Sequence, residues 1–298
     1  MLDLDTIYDY PLYRPPSEAY SLIIQITLGC SHNKCTFCKM YKEKKFTIKP
    51  IEQIKKEIDF FRSKIKYIDK IFLADGDALI IPTPKLLEIL DYINEKFPEN
   101  ERISLYASPK SILFKTPKEL EEIRKRGVKL IYIGLESGDD EVLKEIKKGV
   151  TSDKILQGAL KAKKAGFKIS VTVIAGILGK KDSTNHAVKT GEIVSKMIPD
   201  YLSILCLVVH DGTEISERKK AGEFIEASGE EILKEIKMII ENINIPEGEK
   251  VIFRSNHASN YLGLKGDFPE DKDKFISEIN FAIKNDYIRE RNERYLKY

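Results

Sequence analysis

Apolar positions along this chain keep two rhythms that alternate from about residue 20 onward. Short unbroken apolar runs mark strands buried on both faces. Between them lie stretches whose apolar residues fall three and four apart, as on one face of a helix. The first run is Leu22-Ile23-Ile24-Gln25-Ile26. Behind Pro50, the residues Ile51, Ile54, Ile58 and Phe61 share a helix face. Residues 70–74 read as a strand, 83–96 as a helix stopped by Pro98, 103–107 as a strand, and Thr116-Pro117 opens a helix that ends at Gly127. The alternation continues with a strand over 129–135 and a helix bounded by Asp139-Asp140-Glu141 and by Lys147, Lys148 and Gly149. A helix over 152–165, a strand over 168–174, a helix over 185–197 and a strand over 201–209 complete it.

Six such units predict an α/β protein: a parallel sheet covered by helices, curled into a partial (β/α)6 TIM-like barrel. In that architecture the residues just past each strand's C-terminal end line one mouth. Here they are the cysteine-rich stretch 29–38, Asp75-Gly76-Asp77, Ser108, Glu136, Gly176 and His210-Asp211. Polar or small residues at every strand end predict an active-site mouth. The two ends of the chain break the rhythm. Pro11, Pro15 and Pro16 predict an extended arm over residues 1–20, with Arg14 and Glu18 on the surface. Beyond the core, taken as 21–215, a small C-terminal extension (216–298) is expected to cap the barrel. It holds a helix carrying Ile232, Leu233, Ile236, Ile239 and Ile240, a strand-like run 251–253, helices from about 270, and a polar end (289–298) that frays.

Composition narrows the partners. Lys plus Arg (50) nearly balance Asp plus Glu (47), for a net charge of +3, so no electrostatic argument favours nucleic acid. The one basic cluster beside the cysteines, Lys42-Glu43-Lys44-Lys45, is expected to be a solvated face. No apolar run is long enough to span a membrane, the N-terminus lacks a signal-peptide pattern, and the cysteines cluster rather than pair. A cytoplasmic location is therefore expected.

The chemistry concentrates in Gly29-Cys30-Ser31-His32-Asn33-Lys34-Cys35-Thr36-Phe37-Cys38, which carries three of the 4 cysteines directly after the first strand. A C-x4-C-x2-C loop offers three thiolates and an incomplete set. That suits a four-iron cluster with one open iron. A zinc site closed by His32 is the rival, but Cys30 and His32 lie too close together for the usual paired turns. Cys206 sits inside an apolar run and is expected in the core. It leaves no cysteine set for a second cluster, which argues against sulfur insertion or methylthiolation dependent on one.

With these residues in place the chain resembles the radical S-adenosylmethionine (SAM) superfamily over about residues 20–210. The likeness rests on the cysteine triad with Phe37 before its last member, on Asp75-Gly76-Asp77, on Gly134-Leu135-Glu136-Ser137-Gly138, and on Val173-Ile174-Ala175-Gly176. The superfamily usually spaces its triad C-x3-C-x2-C, so this loop carries one extra residue. The loop and the late Arg254-Ser255-Asn256-His257-Ala258-Ser259-Asn260-Tyr261 are similar to a branch related to coproporphyrinogen oxidase-like and tRNA-modifying groups.

The resemblance implies that Cys30, Cys35 and Cys38 hold one [4Fe–4S] cluster, which reductively cleaves SAM to a 5′-deoxyadenosyl radical. Phe37, Asp75, Gly76, Asp77, Ser108, Glu136, Ala175 and Gly176 become the expected cofactor-binding residues, with Asp75-Gly76-Asp77 offering backbone to the SAM amino group. His210, Arg254, His257 and Asn260 are the expected catalytic or substrate-facing residues. An oxidoreductase or transferase is implied, acting on a small molecule or nucleoside, with a reductant such as ferredoxin or flavodoxin. The alternative is a non-catalytic iron–sulfur or zinc module.

Overall fold

The computed structural model of the chain describes residues 4–290. Its main strands are β1 (Leu22–Gln25), β2 (Lys70–Ala74), β3 (Arg102–Tyr106), β4 (Val128–Glu136), β5 (Lys168–Ala175), β6 (Tyr201–Cys206), β7 (Val251–Ser255) and β8 (Leu264–Phe268). The helices between them are α1 (Ile51–Lys64), α2 (Thr83–Lys96), α3 (Pro109–Phe114), α4 (Pro117–Lys125), α5 (Asp140–Glu145), α6 (Ser152–Lys164), α7 (Thr184–Met197), α8 (Glu214–Lys220), α9 (Gly229–Glu241) and α10 (Lys272–Lys284). The expected mostly parallel α/β fold is the one observed.

Two compact units share these elements. The first comprises the residues up to Asn33, Met40–Ile133 and Gln157–Ile169; the second comprises Lys34–Lys39, Gly134–Leu156 and the residues from Ser170 onward. In the first unit β1, β2, β3 and β4 pair side by side, all parallel. Ile24, Ile71, Phe72, Leu73, Ile103, Leu105 and Ile131 are fully buried, which is why these strands read as unbroken apolar runs. Helix α1 covers β1 and packs beside α2, which packs beside α4. Full burial of Ile54 and Ile58 on α1 contributes about 1.5–3 kcal/mol each. A capping box starts α4: the Thr116 hydroxyl accepts the Glu119 N–H (3.2 Å) while Glu119 Oε2 accepts the Thr116 N–H (2.7 Å).

In the second unit β5, β6 and β7 are parallel and β8 returns antiparallel to β7. Phe253, Phe268 and Phe275 form the aromatic centre behind this hairpin. Helix α9, started by the Ser228–Glu231 capping box, lies beside α7 and α10.

Several expectations are corrected. β6 stops at Cys206 instead of reaching 209, because its neighbour β5 ends at Ala175 and β7 pairs only with Tyr201–Ser203. The run 251–253 is a full strand, and β8, with Lys265-Gly266-Asp267 at its centre, carried too few apolar residues to be read as one. The arm contains a short helix (Leu4–Ile7) and a 3-10 turn (Pro16–Glu18) rather than extended chain alone. Arg14 is exposed as expected, but Glu18 is fully buried. Its carboxylate accepts from the nearby Ser21 Oγ and from Arg102 Nη2 (2.8 and 2.9 Å) and Tyr132 Oη (2.6 Å), two donors that no local pattern connects to it. Lys44 is likewise buried rather than solvated. The polar end at 289–298 lies, from residue 291, outside the described residues. Among the described residues no helix is long and apolar enough to cross a membrane.

Candidate functional site

In the first unit the chain leaving β1 and the chain leaving β2 run beside each other. Ala74 O accepts the Ile26 N–H (2.8 Å), Thr27 O accepts the Asp75 N–H (3.0 Å) and Gly29 O accepts the Gly76 N–H (3.0 Å). Thr27–Leu28 also pairs antiparallel with Thr47–Ile48, so a small ribbon brackets the stretch that carries the cysteines. Asp75 is fully buried beneath it. Its carboxylate accepts from Gln25 Nε2 (3.1 and 3.0 Å), the Gly29 N–H (3.0 Å) and Lys44 Nζ (3.2 Å). Burial pushes this carboxyl above its ordinary value, against the opposing pull of the Gly29 N–H and the Lys44 ammonium.

Asp77 makes the second anchor. Its Oδ2 accepts from Ser31 Oγ (2.5 Å), and its Oδ1 accepts from the Ser108 N–H (3.0 Å) and Ser111 Oγ (2.8 Å). One carboxylate thus ties the residue after Cys30 to the end of β3. Between the two aspartates Gly76 meets the loop closely: a Cβ there would lie 2.8 Å from Tyr41 Cε2 and 3.0 Å from Cys30 Cβ. Asp75 and Asp77 therefore act on the loop through their side chains. Ser108, besides its N–H contact, caps α3 by accepting the Ser111 N–H (3.0 Å).

In the second unit the rest of the cysteine loop is held by main chain. Ile146 O, at the end of α5, accepts the Thr36 N–H (3.0 Å), and Thr36 O accepts the Ile215 N–H (3.1 Å) at the start of α8. Lys147 and Glu214, one residue away on each side, form an ion pair at 2.7 Å. Thr36 is 1% exposed. Its hydroxyl is buried and has no hydrogen-bond partner among the described residues.

β4 ends at Glu136 with a left-handed φ of +62°. Its Oε1 accepts from Lys148 Nζ (2.7 Å), both side chains being largely buried. Gly134 makes room for this pair, since a Cβ there would fall 2.1 Å from Glu136 Oε1. Next to it, Ser137 Oγ lies 2.8 Å from His186 Nδ1, His186 Nε2 lies 3.3 Å from Glu235 Oε1, and Glu235 Oε1 accepts the Gly176 N–H at 2.8 Å. Ala175 and Gly176 close β5 as expected, and Gly176 turns with φ +76°; a Cβ there would fall 2.8 Å from Ile232 Cδ1.

The later expected residues separate into two kinds. His210 follows β6 half-buried, and burial together with the nearby Lys39 ammonium lowers its pKa; Lys39 directly follows Cys38. His257 is also lowered by burial, and its Nδ1 faces Ser259 Oγ at 2.9 Å. Asn260 is 1% exposed, with its amide engaged by Ile204 O (2.8 Å) and Ser255 Oγ (2.6 Å). Arg254 is exposed, and its Nη1 donates to Phe253 O (2.6 Å) and Gly266 O (3.0 Å). Asn260 and Arg254 thus have internal partners that account for their positions. Cys206 is buried in β6, in line with a core role.

Gln25, Lys44, Thr36, Ser137, Lys148, His186 and Glu235 all contact the strand-end loops, and the sequence assigns none of them to the site. Thr36 and Ser137 lie inside the cysteine and fourth-strand motifs and Lys148 ends a helix, so these three carry a signal, whereas Lys44 reads as a surface charge and Gln25, His186 and Glu235 carry none.

The donor chemistry of Cys30, Cys35 and Cys38, three thiols on one loop, is that of a thiolate-held cluster. Cys30, Cys35, Phe37 and Cys38 are half-buried, neither sealed in the core nor loose on the surface. The partnerless Thr36 hydroxyl, set between Cys35 and Cys38, is a donor that costs about 1–3 kcal/mol until an acceptor arrives. Sulfur bound beside it would supply one.

Residues 24–190, more than half of the chain, match the Radical SAM superfamily. Among curated proteins the chain is 22% identical over 220 residues to the tRNA-2-methylthio-N(6)-dimethylallyladenosine synthase of Fusobacterium nucleatum, covering 64% of this chain and 44% of that protein. It is 26% identical over 175 residues to the tRNA uridine(34) acetyltransferase of Methanocaldococcus infernus, covering 58% and 32%. The chain therefore spans less than half the length of these curated relatives. Coproporphyrinogen III oxidase from Escherichia coli shares the fold, with a TM-score of 0.57 at 18% identity over 74% of this chain and 51% of that one. The strand-end architecture and the match together make this chain a member of the radical SAM superfamily, whose members are enzymes that use a [4Fe–4S] cluster and S-adenosylmethionine.

Proposed function

We propose that Cys30, Cys35 and Cys38 hold one [4Fe–4S] cluster and that this chain cleaves SAM reductively to act on a small molecule or nucleoside. The observation that carries the reading is the cysteine loop itself: three half-buried thiols within nine residues of sequence, with the buried Thr36 hydroxyl between the last two left without a partner. A cluster held by these cysteines would pass one electron from a reductant to SAM bound beside it, supplying the chemistry of reductive sulfonium cleavage and hydrogen-atom abstraction from a substrate.

The chain's own residues do the positioning. Asp75 and Asp77 fix the turn after β2 so that backbone at Gly76 faces the SAM amino group. Glu136, oriented by Lys148, and the turn at Ala175-Gly176 take the ribose and adenine side, with Ser108 beside Asp77. Phe37 shields the third cysteine. His210, in the core (21–215), and His257, in the tail (216–298), form the substrate side, while Arg254 and Asn260 are bonded to the main-chain carbonyls of Gly266 and Ile204, respectively. Ferredoxin or flavodoxin is the proposed reductant.

A second reading takes the nucleoside within tRNA, and it is favoured by the relatives named for tRNA chemistry. The net charge of +3 weakens it. Tight RNA binding that falls steeply with salt would select it.

The test is anaerobic reconstitution with iron and sulfide, reduction by dithionite, and assay for 5′-deoxyadenosine. Its formation is the expected result. A colourless protein holding zinc, or a reduced cluster that leaves SAM intact, would overturn the proposal. Deuterium transfer from labelled candidates into 5′-deoxyadenosine then identifies the substrate.

A further inference from the structure

Three buried side chains in the second unit have the connectivity of a Ser–His–acid triad. Ser137 and His186 are fully buried and Glu235 is 4% exposed. Ser137 Oγ accepts the Asp139 N–H (2.9 Å) and lies 2.8 Å from His186 Nδ1. His186 Nε2 lies 3.3 Å from Glu235 Oε1, close but without hydrogen-bond geometry, and that same oxygen accepts the Gly176 N–H. A nucleophilic role is excluded by access: no substrate atom reaches a serine with no exposed surface, and its oxygen is held from both sides.

The two ends of the chain of contacts say what it does instead. One lands on Ser137, next to Glu136 at the end of β4; the other lands on Gly176 at the end of β5. Both turns are already held by packing. A Cβ on Gly138 would lie 2.3 Å from Lys189 O in α7, and one on Gly176 would meet Ile232 of α9. Thr190 Oγ1 accepts the Gly138 N–H (2.8 Å), and Lys189 Nζ donates to Asp139 Oδ1 (2.8 Å). Packing fixes where the turns are. The imidazole stands between them, Nδ1 toward Ser137 and Nε2 toward Glu235, whose carboxylate accepts the Gly176 N–H.

We propose that His186 and Glu235 are positioning residues for SAM, coupling the Glu136 turn to the Gly176 turn. The inference rests on the reading that these two turns receive SAM. It also assigns a role to α9 in the tail: Glu235 reaches from outside the matched segment to hold the last main-chain N–H of the β5 turn.

The experiment measures SAM affinity of the reconstituted, reduced protein through the change SAM causes in the cluster's electron paramagnetic resonance spectrum. Iron content and melting temperature are recorded alongside. Glu235→Leu, which removes the acceptor, is expected to weaken SAM binding roughly tenfold with iron content unchanged. Glu235→Gln keeps an oxygen for the Gly176 N–H and is expected to recover to within about threefold. Ser137→Ala, a smaller change that leaves the turn backbone intact, is expected to fall between and decides the matter if Glu235→Leu does not fold.

Wild-type affinity in the soluble variants overturns the inference, and so does an affinity loss that only tracks loss of iron or of folded protein. Failure of the wild type to bind SAM at all is a different result: it brings down the proposed function itself.

Discussion

The two halves of the cysteine loop are held by different physics. Around Cys30, in the first unit, the anchors are buried charges: Asp75 gathers Gln25, Gly29 and Lys44, and Asp77 gathers Ser31, Ser108 and Ser111. Around Cys35 and Cys38, in the second unit, the anchor is main chain, with Thr36 bonded through both its N–H and its C=O. A charge anchor concentrates several contacts on one replaceable side chain and responds to pH. A main-chain anchor survives most side-chain changes. The comparison teaches that residues flanking the ligands will be unequally sensitive on the two sides, although the cysteines themselves are equivalent in kind.

The ligands give the largest effect. Alanine at Cys30, Cys35 or Cys38 is expected to abolish the cluster, measured as loss of iron, sulfide and visible absorbance after reconstitution. A variant that keeps a full cluster would remove that cysteine from the set.

Next comes Asp77→Ala, which strands three donors at once, the Ser111 hydroxyl among them buried. A loss of about 3 kcal/mol in denaturant unfolding is expected, with poor cluster loading. The second-unit counterpart, Lys147→Met, breaks an exposed pair and is expected to cost under about 1 kcal/mol. Equal costs would dissolve the contrast.

Thr36→Val is a smaller and sign-changing test. Without the cluster it removes a buried hydroxyl that lacks a partner, so a gain of about 1 kcal/mol is expected. With the cluster it removes a donor to sulfur, so that gain should vanish or reverse. Thermal melts before and after reconstitution check this. A gain that persists unchanged would mean that the hydroxyl serves no bound group.

The smallest effect is pH dependence. The Asp75 carboxyl is raised in the folded protein from an ordinary value of 3.8. The folded state therefore holds this proton to higher pH than the unfolded chain does. The stability it contributes is full below about 3.8 and is lost as pH rises through the folded value. Unfolding midpoints of wild type and Asp75→Asn, compared over pH 4–8, should diverge with that slope, and Thr36→Val should show none.

Much of the fold was legible because each element answers to a local period. Helix α2 and strand β2 fall on their expected bounds, and α1 starts where Pro50 opens it, since Pro50, Pro98 and the short apolar run at 70–74 fix them. The short α3 was missed because its one signal is a serine cap and a proline after β3, and β8 because its centre is polar. The cysteine loop and the strand-end turns stood out by spacing. Their supports did not: Lys44 looked like a surface charge, Glu18 like part of a solvated arm, and His186 like one residue of a helix.

What the sequence determined by itself is the alternation of strand and helix, the thiol triad and the polar strand ends. Hydrophobic period and ligand spacing are local quantities that one stretch of chain can carry. What only the tertiary structure decided is which carboxylates face inward and who answers them. Asp75 with Lys44, Asp77 with Ser108, and Glu235 with His186 and Gly176 are pairings across 31 to 59 residues. Burial makes such pairings obligatory, because an unanswered polar group in the core is costly. No spacing in the chain encodes the choice of partner.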